Sequence, residues 1–249
     1  MTTALLLMGM LMPLPGCQTV DTPRVLVCAH ADQRFSLVLP ADYEAAASHP
    51  AVLLLHGAGR NYRTLIDDPQ TRAALLRSKS VVILPDGGMS WWRGQDAVLA
   101  LLDWLSSTLH LDARHIGCGG WSMGGYGSLL MTVDHPGRFA AWAGMIGLVD
   151  YPNASYQRAS NYPVSEVFGP PDTWPAANPI SRVERLRGKA IWFATADQSF
   201  DAPMNRHLDQ VLDDQHLAHT FEVIPGKHDF AAVSALLPRM LQFFDRVLQ

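Results

Sequence analysis

Ser122 stands at the centre of Gly120-Trp121-Ser122-Met123-Gly124, a G-x-S-x-G pentapeptide. The stretch before it, His115-Ile116-Gly117-Cys118-Gly119, is short and partly apolar, as the end of a strand would be. The stretch after it, Gly125-Tyr126-Gly127-Ser128-Leu129-Leu130-Met131, can continue as a helix. Strand, sharp turn and helix are the context of a nucleophile elbow, in which a strained backbone lifts a serine hydroxyl clear of the sheet. Glycines two residues to either side remove Cβ atoms that would collide in so tight a turn. Alone, five residues also fit an ordinary Gly-rich turn carrying an unremarkable serine.

A serine hydroxyl is a weak nucleophile at neutral pH, so it needs a general base, and the base needs a group to orient it. The chain has ten histidines, and position has to separate them. His228 lies in Pro225-Gly226-Lys227-His228-Asp229-Phe230, just after the last expected strand. Parallel sheets present their ligands at that end of their strands. His228 is therefore the expected base. For the acid, Asp197 is the first choice because it directly follows the apolar run Ile191-Trp192-Phe193-Ala194. Asp201, four residues on in the same loop, is its main rival, and Asp150 after an earlier strand is a third candidate. A solvated or helix-capping aspartate is the bland alternative for each.

An acyl-transfer site also needs donors for the developing oxyanion. The N–H of Met123, opening the helix after the elbow, is one expected donor. Ala58, in Leu55-His56-Gly57-Ala58-Gly59, is the other, and its flanking glycines allow close approach of a substrate. His56 resembles a base but suits a structural role beneath this loop. Trp91, Trp92, Tyr151 and Trp174 are candidate pocket-lining residues; ordinary core or surface aromatics fit them as well. Arg60 could meet an anionic or sugar-bearing group, or simply be solvated.

These residues need a scaffold that brings distant segments to one edge. Apolar strand candidates at 35–39, 51–55, 81–84, 140–146, 190–194 and 220–224 alternate with helical candidates at 71–77, 97–109, 202–212 and 231–248. Such alternation predicts a mostly parallel sheet with helices on both faces. The run 51–55 is apolar throughout, the mark of a strand covered on both sides. Residues 147–187 break the pattern with Pro152, Pro163, Pro170, Pro171, Pro175 and Pro179, which predicts an excursion over the active-site face with a short helix at 181–186.

Of 249 residues, 48% are hydrophobic and 17% charged, with a formal net charge of −4. That suits one domain spanning 33–249 and supplies no basic stripe for nucleic acid. No C-x-x-C or H-E-x-x-H occurs, so no cofactor or metal is expected; His216 and His219 read as a solvated pair. Residues 4–12 form an apolar run too short to span a membrane but of signal-peptide length. Leu14-Pro15-Gly16-Cys17 then resembles a bacterial lipobox. Residues 1–17 are accordingly expected as a signal peptide ending at a lipidated Cys17, and 18–32 as a linker. The protein would be exported to the periplasm or carried as an outer-membrane lipoprotein, with Cys17 its possible membrane anchor. Cys28 and Cys118 could then pair, or remain buried thiols.

Several stretches together resemble the putative-esterase family of α/β hydrolases, which takes in esterase D, feruloyl and acetyl-xylan esterases and the mycolyltransferases. They are Leu-Leu-Leu-His-Gly-Ala-Gly at 53–59, Leu-Pro-Asp-Gly-Gly at 84–88, Gly-Trp-Ser-Met-Gly-Gly-Tyr-Gly at 120–127, His-Pro-Gly-Arg-Phe at 135–139 and Gly-Lys-His-Asp-Phe at 226–230. The resemblance covers roughly residues 33–247. It implies an α/β-hydrolase fold, Ser122 as nucleophile, Asp197 as acid, His228 as base, and Ala58 and Met123 as oxyanion donors. The implied activity is serine carboxylesterase action on a small-molecule, carbohydrate or lipid ester. Acyl transfer by the same triad, peptidase activity and a catalytically inactive binding module are the alternatives.

Overall fold

A computed structural model describes residues 14–156 and 164–249 of the chain. The apolar run 4–12 lies outside the described residues. Among the described residues, nine strands form one sheet: β1 (Cys17–Val20), β2 (Thr22–His30), β3 (Gln33–Val38), β4 (His49–Leu55), β5 (Val81–Pro85), β6 (Leu111–Trp121), β7 (Ala141–Met145), β8 (Ala190–Ala196) and β9 (Thr220–Ile224). The spatial order is β1-β2-β3-β5-β4-β6-β7-β8-β9. Pairing is antiparallel from β1 to β5 and parallel from β5 across to β9.

Helices α1 (Thr64–Asp67), α2 (Pro69–Leu75), α3 (Asp96–Thr108), α4 (Met123–Asp134), α5 (Val164–Phe168), α6 (Trp174–Ala177), α7 (Ala202–Asp214) and α8 (Phe230–Val247) connect the strands. They divide between two cores. Leu53 and Leu55 of β4 join residues of α3, α4 and α7 on one face, while Val52 and Leu54 join α1, α2 and α8 on the other. Side chains alternate across a strand, so a strand with helices on both sides must be apolar at every position, as 51–55 is. Helix α3 buries Val98, Leu101, Leu102 and Leu105, which are three or four apart and so share one face.

Three expectations about the N-terminal part are corrected. Residues 18–32 are no linker: most of them belong to the hairpin β1–β2 at the antiparallel edge. Cys17 and Cys28 are register partners there and form a disulfide, with Cα atoms 4.0 Å apart. A sulfur so engaged is not available for a lipid thioether, so the lipidation of Cys17 is not supported. Cys118 does not pair with Cys28 either. It is a free, buried thiol on β6, separated from β2 by β3, β5 and β4. At about 4.8 Å per strand, that gap is far beyond disulfide reach. Burial pushes the Cys118 thiol up to about 12, which makes it a small hydrophobe rather than a reactive group.

The described residues of the excursion at 147–187 form α5, α6 and three 3₁₀ segments, Ala154–Tyr156, Pro171–Thr173 and Pro179–Leu186. Its later part packs on α4, where Tyr126 donates its hydroxyl to Ala177 O at 2.8 Å. His219 is also not a solvated partner of His216: its Nε2 meets Asp209 Oδ1 at 2.8 Å.

Candidate active site

Strand β6 ends at Trp121 and α4 begins at Met123, leaving Ser122 alone to turn the chain. Its backbone sits at φ +54° and ψ −121°, a region that a side chain normally avoids and that costs about 1–3 kcal/mol. Backbone hydrogen bonds hold it there. Ser122 N donates to Met145 O at 3.1 Å, and Ser122 O accepts from Gly125 N at 2.9 Å and Leu148 N at 3.1 Å. The glycines of the pentapeptide are sterically required. A Cβ on Gly120 would lie 2.3 Å from Gly124 O, and one on Gly124 would lie 2.1 Å from Leu55 O.

His228 comes from the loop between β9 and α8. Ser122 Oγ lies 2.8 Å from His228 Nε2, and His228 Nδ1 lies 2.6 Å from Asp201 Oδ1. With the carboxylate accepting from Nδ1–H, Nε2 is left to accept the serine proton. The residues are distant in sequence; the sheet order β6-β7-β8-β9 brings their loops to one edge.

The carboxylate beside His228 is that of Asp201, not that of Asp197 as expected. Asp197 is exposed, and its Oδ1 accepts from Gly226 N at 3.0 Å. The reason is in the backbone. Asp197 N bonds Ile224 O at 2.8 Å and Gln198 N bonds Gly226 O at 2.9 Å, so the chain keeps pairing with the β9 side past the formal end of β8. Asp197 and Gln198 are also the central residues of a turn, closed by Ser199 N on Ala196 O at 3.1 Å. That turn carries Asp201 back beneath the edge. Asp201 occupies the N-cap position of α7, yet its side chain makes no capping bond.

The Asp201 carboxylate is fully buried and fully engaged. Oδ1 accepts from His228 and from the Ser199 hydroxyl. Oδ2 accepts from Thr195 Oγ1 at 2.6 Å and Asn205 Nδ2 at 2.9 Å. Donors on every side are what a buried carboxylate requires. Thr195, Ser199 and Asn205 thus fix the acid, and sequence reading missed all three. The helix expected at 202–212 already put Asp201 next to its start, and α7 does begin at Ala202.

The loop after β4 approaches the elbow closely. A Cβ on Gly57 would stand 3.2 Å from Ser122 Cβ. Ala58, the next residue, lines the cavity at Ser122. Met123 follows the serine as the first residue of α4. His56 is the structural residue expected: its Nδ1–H donates to Gly57 O at 2.8 Å, and its Nε2 accepts from Gly87 N at 3.0 Å. Burial holds its pKa below the ordinary imidazole value. Among the described residues, no group of His, Cys, Asp or Glu could hold a metal ion.

The model of the "Putative esterase" family matches residues 29–244. The chain belongs to that family. Esterase Rv1288 of Mycobacterium tuberculosis is 24% identical over 240 residues, covering 78% of this chain and 52% of the relative. The chain thus spans about half the length of that curated relative. Among solved structures, an S-formylglutathione hydrolase from Agrobacterium tumefaciens superposes with a TM-score of 0.77 at 14% identity, covering 96% of this chain and 100% of the other. FphF, a fluorophosphonate-binding serine hydrolase of Staphylococcus aureus, gives 0.75 at 17% identity, covering 92% and 97%. At these identities the superpositions establish the α/β-hydrolase fold.

On this esterase-family scaffold, the cavity at Ser122 measures about 130 Å³ and is lined by Gly57, Ala58, Arg60, Trp121, Ile146, His228 and residues at the start of α8. None of the four aromatics expected to line it does so. Trp91 is buried and stacks on Tyr151 at 4.7 Å, with Tyr126 and Phe168 edge-on to it. Trp92 is buried and donates its Nε1–H to His56 O at 3.1 Å. Trp174 donates to Gly169 O at 2.9 Å and borders a different cavity, with Asp150 and His207. Large aromatics in proline-rich loops were available to be packed inward, and burial of their area decided the outcome. No described residue of 147–187 lines the Ser122 cavity. Asp150, the third acid candidate, pairs with His207 Nδ1 at 2.7 Å.

Proposed function

We propose that this chain is a serine carboxylesterase that works through an acyl-enzyme on Ser122. The observation that supports it is the continuous relay Ser122 Oγ–His228 Nε2 at 2.8 Å and His228 Nδ1–Asp201 Oδ1 at 2.6 Å, opening on a cavity. His228 Nε2 takes the hydroxyl proton as Oγ attacks the ester carbonyl carbon. The tetrahedral oxyanion is received by the amides of Ala58 and Met123, the latter at a helix N-terminus with its positive dipole end. Collapse expels the alkoxide, which takes the proton from Nε2. Water then enters and gives a proton to the same nitrogen as its oxygen attacks the acyl carbon; collapse breaks the bond to Oγ, which takes that proton back, and the carboxylic acid leaves. Asp201 keeps Nδ1 protonated and stabilises the transient imidazolium. His228 keeps 17% of its side chain exposed, which leaves the base open to water.

The test is labelling with a fluorophosphonate probe and turnover of 4-nitrophenyl acetate. The wild type is expected to label at Ser122 and turn over. Ser122→Ala is expected to do neither, with kcat lower by about 10⁶-fold. A folded wild-type protein that neither labels nor turns over esters would leave only a binding role for the fold. We also propose an oxidising compartment, on the ground that disulfides such as Cys17–Cys28 persist there. Intact-mass analysis of protein from its native host, before and after reduction, tests this.

A further inference from the structure

Arg60 brings a positive charge to the rim of the Ser122 cavity that no carboxylate of the described chain neutralises. It follows the oxyanion loop, with its N–H on Gly57 O at 3.2 Å, and it lines the cavity. Its guanidinium lies 5.3 Å from the centroid of the Phe230 ring, and no ion pair accompanies that contact among the described residues. The nearby arginines differ. Arg63 pairs with Asp67 at 2.8 Å, and Arg34 with Asp86 at 3.2 Å. Asp229 is the acidic residue among those lining the cavity, and its Oδ1 caps α8 by accepting from Ala232 N at 3.0 Å. Its charge is therefore directed at the positive end of that helix. The aromatic ring supports the guanidinium from one side and leaves its planar N–H fork free to pair with an oxyanion.

The cavity is also small. Its volume of about 130 Å³ is well under the 350–410 Å³ of three other cavities on the molecule, which fits a short acyl chain and leaves the rest of a substrate to pass the rim. We propose that Arg60 selects small esters that carry a negative charge close to the scissile bond. This rests on Ser122 acting as the nucleophile and names the class of ester that reaches it.

The experiment compares charged and neutral esters of matched reactivity. A carboxylate on the leaving group is tested with 4-acetoxybenzoate against its methyl ester. A carboxylate on the acyl group is tested with mono-4-nitrophenyl glutarate against its methyl ester. The readout is the ratio of kcat/KM values, charged over neutral, with thermal unfolding run on each variant. For at least one pair the wild-type ratio is expected to exceed that of Arg60→Gln by about tenfold, the scale of a charge-assisted bond at a partly solvated site. Arg60→Lys should keep part of the preference, and Arg60→Glu should reverse it. The wild-type preference should shrink in salt, as the screening length falls from about 10 Å at 0.1 M to about 3 Å at 1 M. Turnover of neutral esters with equal ratios in wild type and Arg60→Gln, for both pairs, overturns the inference and leaves the esterase reading standing. Absence of turnover and of probe labelling overturns both.

Discussion

Replacing Asp201 with asparagine tests the site more sharply than replacing the serine, because it separates two carboxylates four residues apart. Asp201 Oδ1 receives the His228 Nδ1–H at 2.6 Å, while Oδ2 receives Thr195 and Asn205. An asparagine has one acceptor oxygen for these donors. If its oxygen faces His228, its amide faces the Asn205 Nδ2 donor, and one bond is lost. If it flips, its N–H₂ meets Nδ1, which must then lose its proton. Nε2 becomes protonated and cannot accept from Ser122. In either orientation the negative charge that stabilises imidazolium is gone. A loss of about 10³–10⁴ in kcat is expected, or about 4–5.5 kcal/mol at 1.36 kcal/mol per decade. Asp197→Asn keeps an oxygen for Gly226 N at an exposed position, so its effect on kcat/KM should stay within about threefold. The assay is steady-state hydrolysis of 4-nitrophenyl acetate, with circular dichroism to establish that each variant is folded. The reasoning is refuted if folded Asp201→Asn keeps more than about a tenth of wild-type activity, or if Asp197→Asn is the more damaging change.

Other expectations concern the scaffold. Gly124→Ala would place a Cβ about 2.1 Å from the carbonyl oxygen of Leu55; because that neighbour is backbone, denaturant unfolding should show a loss of about 3 kcal/mol or more, or no soluble protein. His56 is held neutral by burial, with a folded pKa below the ordinary value. Its contribution is therefore complete above about pH 6.5 and is lost as pH falls below that, since the unfolded chain takes up the proton first. Tm measured from about pH 7.5 to about pH 5 should fall more steeply in the wild type than in His56→Asn. The double variant Cys17→Ser/Cys28→Ser should lose about 2–3 kcal/mol of stability in urea titration. It should keep its esterase activity, because the disulfide lies at the sheet edge opposite the triad strands.

What could be read from the chain depended on how local the physics was. The elbow is local: a serine turn between strand and helix dictates its own glycines, and Ser122 was legible for that reason. His228 was legible because a loop after the last strand has one place to go. Strand β4 was legible because burial on two faces admits only apolar residues. Asp201 was not, because the choice depends on whether the backbone after β8 continues to pair or turns. That is decided by Ile224 at the end of β9 and Gly226 in the loop after it. The same applies to Trp91 and Trp92, whose left-handed backbones at φ +54° and +56° turn them inward. Nothing in the spacing of aromatics encodes that direction. The β1–β2 hairpin shows a third kind of miss. Leu14-Pro15-Gly16-Cys17 has the look of a processing signal, while its cysteine is spoken for by a partner eleven residues later.

The aspartate that drops out of the relay acquires a different meaning in this arrangement. Asp197 and Gln198 stitch the segment leading to the acid onto the segment leading to the base, through Ile224 O, Gly226 O and Gly226 N. Asp201 and His228 therefore ride on one fastened pair of loops, whereas Ser122 is anchored separately at the end of β6. Breathing at this outer margin of the sheet would carry imidazole and carboxylate together and vary chiefly their joint distance from the hydroxyl. Any tuning of turnover by temperature or viscosity would then act on a single gap, the one between Oγ and Nε2.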